Sequence, residues 1–230
     1  MNNPETQRPR RFYGRRAGHK LHPNQAVLVE TLLPELRIDP ASPVDDLASL
    51  FPGSINEFWL EIGFGAGEHL IWQARKNPKV GFLASEPYIN GVAKVLSAIH
   101  KEGFVNIRPY DDDVHDLLDW FPDQSLNKVF ILFPDPWPKK RHNKRRIISN
   151  LLISHLARIM KPGAELRFAS DIPDYVDWGM RKILENPDFY WTANHPDDWR
   201  QRPIDWPETR YERKATEAGR TASYISFLRR

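Results

Sequence analysis

The chain contains no cysteine. That single absence removes disulfides, thiolate zinc sites and cysteine nucleophiles together. No apolar run approaches the roughly 18 residues of a membrane-spanning helix. The opening MNNPETQRPRRFYGRR also lacks the apolar segment of a secretory signal, so the expected location is cytoplasmic and no membrane contact is expected. The eight histidines show no ligand spacing, and no metal is expected. Internal repeats and low-complexity tracts are missing as well. Net charge is only +3, an average too small to name a partner.

Charge is present, but unevenly placed. Arg8, Arg10, Arg11, Arg15, Arg16 and Lys20 fall in a stretch without an acid, the pattern of a basic arm that orders on a polyanion. With 230 residues, 40% of them hydrophobic and 27% charged, the chain can bury one substantial core. Residues 1–57 read as that arm, a helical piece over Gln25–Leu36 and a linker broken at Asp39–Pro43 and Phe51–Ser54. From Phe58 onward short apolar runs alternate with longer amphipathic ones. The spacing predicts strands at Phe58–Ile62, Val80–Ala84, Val105–Ile107, Val129–Phe133, Leu166–Ala169 and Ala222–Leu228. It predicts helices at Glu68–Lys76, Ile89–Glu102, Val114–Trp120, Arg145–Met160 and Tyr175–Leu184, with an irregular tail over 186–220. Such alternation specifies an α/β fold, a parallel sheet with helices on both faces.

Glu61-Ile62-Gly63-Phe64-Gly65-Ala66-Gly67-Glu68 ends the first strand and opens a helix. Glycines there let backbone turn tightly against a ligand. The next strand ends in Glu86, placed to accept hydrogen bonds from ribose hydroxyls. The spacing departs from G-x-G-x-x-G, and Glu61 would repel a pyrophosphate while attracting an amino group or sulfonium. S-adenosylmethionine is the better match, with a nicotinamide dinucleotide as the lesser reading. The E-x-G-x-G pattern resembles class I methyltransferases, and that resemblance implies an adenine-holding acid within Asp111-Asp112-Asp113, although Asp113 also suits a helix N-cap.

The densest signal is Phe133-Pro134-Asp135-Pro136-Trp137 followed by a cationic strip. Lys139, Lys140, Arg141, Lys144, Arg145 and Arg146 lie within eight residues, with His142 and Asn143 between them. A rigid carboxylate between aromatic rings, next to groups that hold phosphates, fits an enzyme acting on one base of a nucleic acid. A solvated helix start is the plainer reading of the strip alone; Phe133 reads as core, and Trp137 equally as core or as a ring facing the base.

From EIGFG, FPDPWPKKRHNKRR and Thr209-Arg210-Tyr211-Glu212 the chain resembles the bacterial tRNA (guanine-N7-)-methyltransferase family over about Phe58–Arg230. The resemblance implies a class I methyltransferase domain at 58–230. Its sheet would be doubly wound, mostly parallel, seven-stranded and Rossmann-like, with helices on both faces. It implies methyl transfer from S-adenosylmethionine to N7 of guanosine 46 in the variable loop of tRNA, by a monomer or homodimer. By motif, Glu61, Gly63, Gly65, Glu86, Asp113 and Asp135 would form the cofactor site, with Asp135 also catalytic. Lys139, Arg141, His142, Asn143, Lys144, Arg145, Arg146, Asp171, Thr209, Arg210, Tyr211 and Glu212 would bind substrate. The alternative is an exocyclic-amine methyltransferase, because Asp135-Pro136-Trp137 echoes a D-P-P-Y turn. A catalytically silent RNA-binding module is the reading from another class.

Overall fold

The structure is a computed structural model, and it describes residues 13–230; Arg8, Arg10 and Arg11 of the basic arm lie outside the described residues. In chain order the helices are α1 (Pro23–Thr31), α2 (Leu33–Leu36), α3 (Glu68–Lys76), α4 (Ile89–Glu102), α5 (Asn150–Ile159), α6 (Pro173–Leu184), α7 (Asp197–Arg200) and α8 (Arg210–Glu217). The strands are β1 (Glu57–Ile62), β2 (Val80–Ser85), β3 (Ile107–Tyr110), β4 (Leu126–Leu132), β5 (Met160–Ser170), β6 (Phe189–Trp191) and β7 (Ser223–Arg229). They make one seven-stranded sheet in the order β3-β2-β1-β4-β5-β7-β6. The first five are parallel, and β7 runs antiparallel to both β5 and β6.

The pleat of β1 divides its side chains between two cores. Phe58, Leu60 and Ile62 face one cluster, which Leu152 and Leu156 of α5 and Tyr175 and Ile183 of α6 complete. Trp59 faces the other, with Leu70 of α3, Val92 and Leu96 of α4, and Phe82 and Phe130 of the sheet. Burial on both faces is why these strands read as continuous apolar runs. Ile38, Leu47, Phe51 and Ile55, from the segment ahead of β1, are buried in the first cluster. Among the described residues no helix is long and apolar enough to cross a membrane.

Several boundaries differ from the spacing, each for a local reason. β3 starts at Ile107 rather than Val105, because Val105 is exposed while the Asn106 amide bonds the carbonyls of Ala74, Asn77 and Val80. Pro109 is tolerated because β3 is the sheet edge, where one side of the backbone needs no ladder partner. The helix expected at Val114–Trp120 is a 3₁₀ turn, Val114–Leu117, capped by Asp113. The helix expected from Arg145 begins at Asn150 instead, where the Ser149 hydroxyl accepts from Leu152 N. Lys140–Arg145 is a separate 3₁₀ turn. The tail read as irregular holds β6, α7 and α8.

Candidate active site

Helices change sides between the β1–α3–β2 and β4–α5–β5 units, and the C-terminal ends of β1 and β4 meet at that switch. Open α/β sheets bind ligands there. A cleft of about 590 Å³ occupies the position, lined by the ends of β1, β2 and β4 and by residues of α8.

Its floor is the glycine turn. Gly63 has φ 78° and Gly65 φ 55°, values that disfavour side-chain-bearing residues. A Cβ on Gly63 would meet no atom within 4 Å, since that position faces open space, whereas one on Gly65 would lie 3.2 Å from the Tyr211 ring. Gly65 N donates to Glu86 Oε2 at 2.7 Å, and Tyr88 N donates to Oε1 at 2.9 Å. Burial pushes the Glu86 carboxyl above its usual range, and the charges of Asp135 and Glu61 add to this against those two donors.

Glu61, at the end of β1, is 4% exposed and bonded through Oε2 to His69 Nδ1 at 2.8 Å. The Gln73 amide fixes the tautomer. Its nitrogen donates to Asp205 O at 2.8 Å and faces His69 Nε2 at 3.1 Å, while its oxygen accepts from Asn77. His69 Nε2 is thus the acceptor, and Nδ1–H points at Glu61. His69 packs edge-on to Phe130 and beside Trp206. The chain pattern gave no sign of it, because one histidine at an apolar helix position reads as core.

The aspartate triplet separates in space. Asp111 pairs with Arg37 and Asp112 with Arg16, leaving Asp113 and Val114 on the cleft lining. Asp113 also caps its 3₁₀ turn through His115 N and pairs with the His115 ring.

Asp135 lines the cleft on the turn after β4. Its side chain opens to solvent, yet the surrounding walls desolvate it enough to raise its carboxyl above the usual range. Phe133 and Trp137 flank it with φ 48° and 43°, conformations that non-glycine residues rarely adopt. Phe133 N donates to Ala169 O at 2.8 Å. The Arg145 guanidinium lies 4.5 Å from the Tyr13 ring and 5.0 Å from that of Trp137. Tyr13, Gly14 and Arg15 therefore cross the cleft. The strap continues to α4, where Ile89 N donates to Arg16 O and Gly18 N to Asn90. From Tyr13 onward, the arm expected to order on a polyanion packs against the protein itself.

The remaining candidates divide. Lys139, Arg141 and Lys144 are exposed, and His142 packs against Trp137. Asn143, with its amide turned, reaches the carbonyls of Lys139 and Trp137 at 3.3 Å. Arg146 is placed unlike its neighbours: at 1% exposure its guanidinium points into the protein. Asp171 bonds Arg220 and stays off the cleft lining. Thr209 and Glu212 are buried as the two halves of the α8 capping box, and Glu212 also holds Tyr224 and Arg202. They place Arg210 and Tyr211 on the lining with Lys214. Tyr13, His69, Tyr88 and Lys214 are lining residues that the sequence motifs did not mark.

Comparisons with known proteins agree with this architecture. The family model described as "Putative methyltransferase" matches residues 56–224. Among solved structures, the 16S rRNA methyltransferase KamB superposes with TM-score 0.56 at 14% identity, over 82% of this chain and 95% of that one. The precorrin-6y C5,15-methyltransferase of Geobacter metallireducens gives TM-score 0.51 at 15% identity, over 88% of this chain and 84% of that one. At those identities the likeness is of fold. Curated relatives are far nearer in sequence. The tRNA (guanine-N(7)-)-methyltransferase of Agrobacterium fabrum is 46% identical over 220 residues, 95% of either chain. That of Rhodospirillum rubrum is 47% identical over 224 residues, 96% of this chain and 88% of its own. With a family model spanning most of the sequence and near full-length relatives at such identity, the chain belongs to the tRNA (guanine-N(7)-)-methyltransferase family.

Proposed function

We propose that this protein methylates N7 of guanosine 46 in the variable loop of tRNA, with S-adenosylmethionine as donor. The observation that carries the reading is Asp135, set between an acid-lined cleft and a cationic strip. The cleft fits the donor. Asp135 and Glu61 stand close enough for their charges to raise the proton affinity of the buried Glu86 carboxyl, which suits a cationic ligand and disfavours a pyrophosphate. Gly63 leaves room for close approach. Glu86, Asp113 and Glu61 would hold the ribose, the adenine amino group and the amino-acid end in turn. When bound, the donor supplies a methyl group on a positively charged sulfur.

Guanine N7 has an exposed lone pair, so the protein need not supply a base to the nucleophile. The product ring is cationic. Asp135 then acts by orienting the guanine edge and stabilising the charge that develops on it, from a wall that partly desolvates its carboxyl. The deep major groove of an A-form helix hides N7 from side chains, so the base must come from a loop or leave its stack. Trp137 and Tyr13 offer ring faces at the cleft, and Arg141, Lys144 and Arg145 offer charge for the adjoining phosphates.

The test is nucleoside mapping. Bulk tRNA treated with protein and S-adenosylmethionine, then digested and analysed by mass spectrometry, is expected to gain 7-methylguanosine at position 46. Methyl on the exocyclic N2 instead would establish the amine reading.

A further inference from the structure

Arg146 ends the cationic strip, yet it is not placed like the rest of it. Arg141 and Lys144 project into solvent, while Arg146 is 1% exposed. Its Nε donates to Pro136 O at 2.9 Å, and one terminal nitrogen pairs with Asp174 at the start of α6. Its guanidinium carbon lies 5.0 Å from the Tyr175 ring and 5.1 Å from the Trp178 ring. The other terminal nitrogen is buried and, among the described residues, has no hydrogen-bond partner. A cation enclosed by two rings, a carboxylate and a carbonyl has no face left for phosphate.

What it does hold is the carbonyl one residue beyond Asp135. The turn around that acid needs holding, because Phe133 and Trp137 both sit at positive φ. Such conformations persist only where the surroundings over-determine them. On the β4 side, Phe133 N is fixed to Ala169 O on β5. On the far side Arg146 holds Pro136 O while Asn143, with its amide turned, reaches Trp137 O, and Trp178 in turn donates from its indole to Ile148 O at 2.9 Å. Arg146 thereby joins α6 to the turn.

We infer that Arg146 is a positioning residue, a clamp that keeps Asp135 aimed into the cleft, and that it makes no contact with RNA. The inference rests on the proposed function only for which reaction reports it. Two variants and one control separate it from a phosphate contact. Arg146→Gln removes the charge but keeps a donor that can reach Pro136 O. Arg146→Ala removes both. The control replaces Arg141, Lys144 and Arg145 by Ala. Measured quantities are kcat at saturating tRNA, the slope of log K against log salt for tRNA binding, and the melting temperature.

Arg146→Ala is expected to lose about 10- to 100-fold in kcat, the cost of a slightly misplaced catalytic group. Gln should recover part of that loss, and both variants should keep the wild-type salt slope. A slope lower by about 0.7–0.9, one phosphate lost, together with unchanged kcat would overturn the clamp. If the Ala variant does not fold, Asp174→Asn takes its place. Asp174 is 66% exposed, so its loss spares the core while releasing the anchor of Arg146. Reduced kcat with an unchanged slope then supports the clamp, and wild-type kcat in both Asp174→Asn and Arg146→Gln refutes it. Wild-type protein is assayed first for 7-methylguanosine, so a wrong reaction shows as inactive wild type and a wrong clamp as an active variant.

Discussion

The proposed catalytic acid, Asp135, costs the fold stability at neutral pH. Its raised carboxyl means the folded protein binds that proton more tightly than the unfolded chain does. The stability it contributes is therefore complete below the ordinary carboxylate range, about pH 4, and is lost as pH rises through the raised value. Glu86 has the same sign, from burial first and then from the charges of Asp135 and Glu61. Removing the charge at 135 should accordingly stabilise the protein at neutral pH. Because the side chain is open to solvent, screening limits the gain to about 0.5 kcal/mol, or ~1–2 °C in melting temperature. Asp135→Asn is expected to melt higher than wild type at pH 7 and level with it near pH 4. Its methyl-transfer rate should fall by about 100-fold, as when one preorganised electrostatic group is removed. A calorimetric scan in which the variant melts lower at pH 7 would reverse the sign of the desolvation argument.

At the scale of elements, the motifs marked loops that line the cleft and misjudged what the strip becomes. Ile147 and Ile148 after the basic run gave a helical pattern, but Ile148 is core in an extended stretch and Ser149 is the true cap. Residue type alone also cannot tell a phosphate-facing arginine from one drawn inward by Tyr175 and Trp178, which lie about thirty positions away in sequence. The same limit hid His69, whose partner Glu61 sits on another element. The strip as observed gives a sharper prediction than its sequence does. Replacing Arg141, Lys144 and Arg145 by Ala should lower the log K–log salt slope for tRNA by roughly 2–3 units. A slope equal to wild type would make these three residues merely a solvated turn.

For the whole molecule, the alternating pattern was enough to specify the parallel strands and their flanking helices. Side-chain burial on both faces makes such strands apolar throughout, a signal local in sequence. The last third was harder to read. β6 is three residues long, and α8 depends on a capping box whose Glu212 is tied to Tyr224 of β7. Its order is tertiary. β7 lies between β5 and β6, so the final strand is interior to the sheet rather than an appendage. Deleting 222–230 removes Ile225 and Phe227 from the main core together with both ladders. Such a truncation is expected to show no cooperative melting transition, followed by circular dichroism. A truncated chain that melts like the full one would mean β5 can serve as a sheet edge.

The turn that carries Asp135 has a bearing on how this sequence can change. Glycine would relieve the backbone at Phe133 and Trp137 alike. Natural variation there is therefore subject to two opposed filters. Relief of backbone strain favours small, permissive residues at these sites, whereas Phe133 packs on the cluster of Ala169, Trp206 and Tyr224 and Trp137 on Tyr13 and His142, which favours the rings. Drift at these two positions is thus hemmed in from both sides.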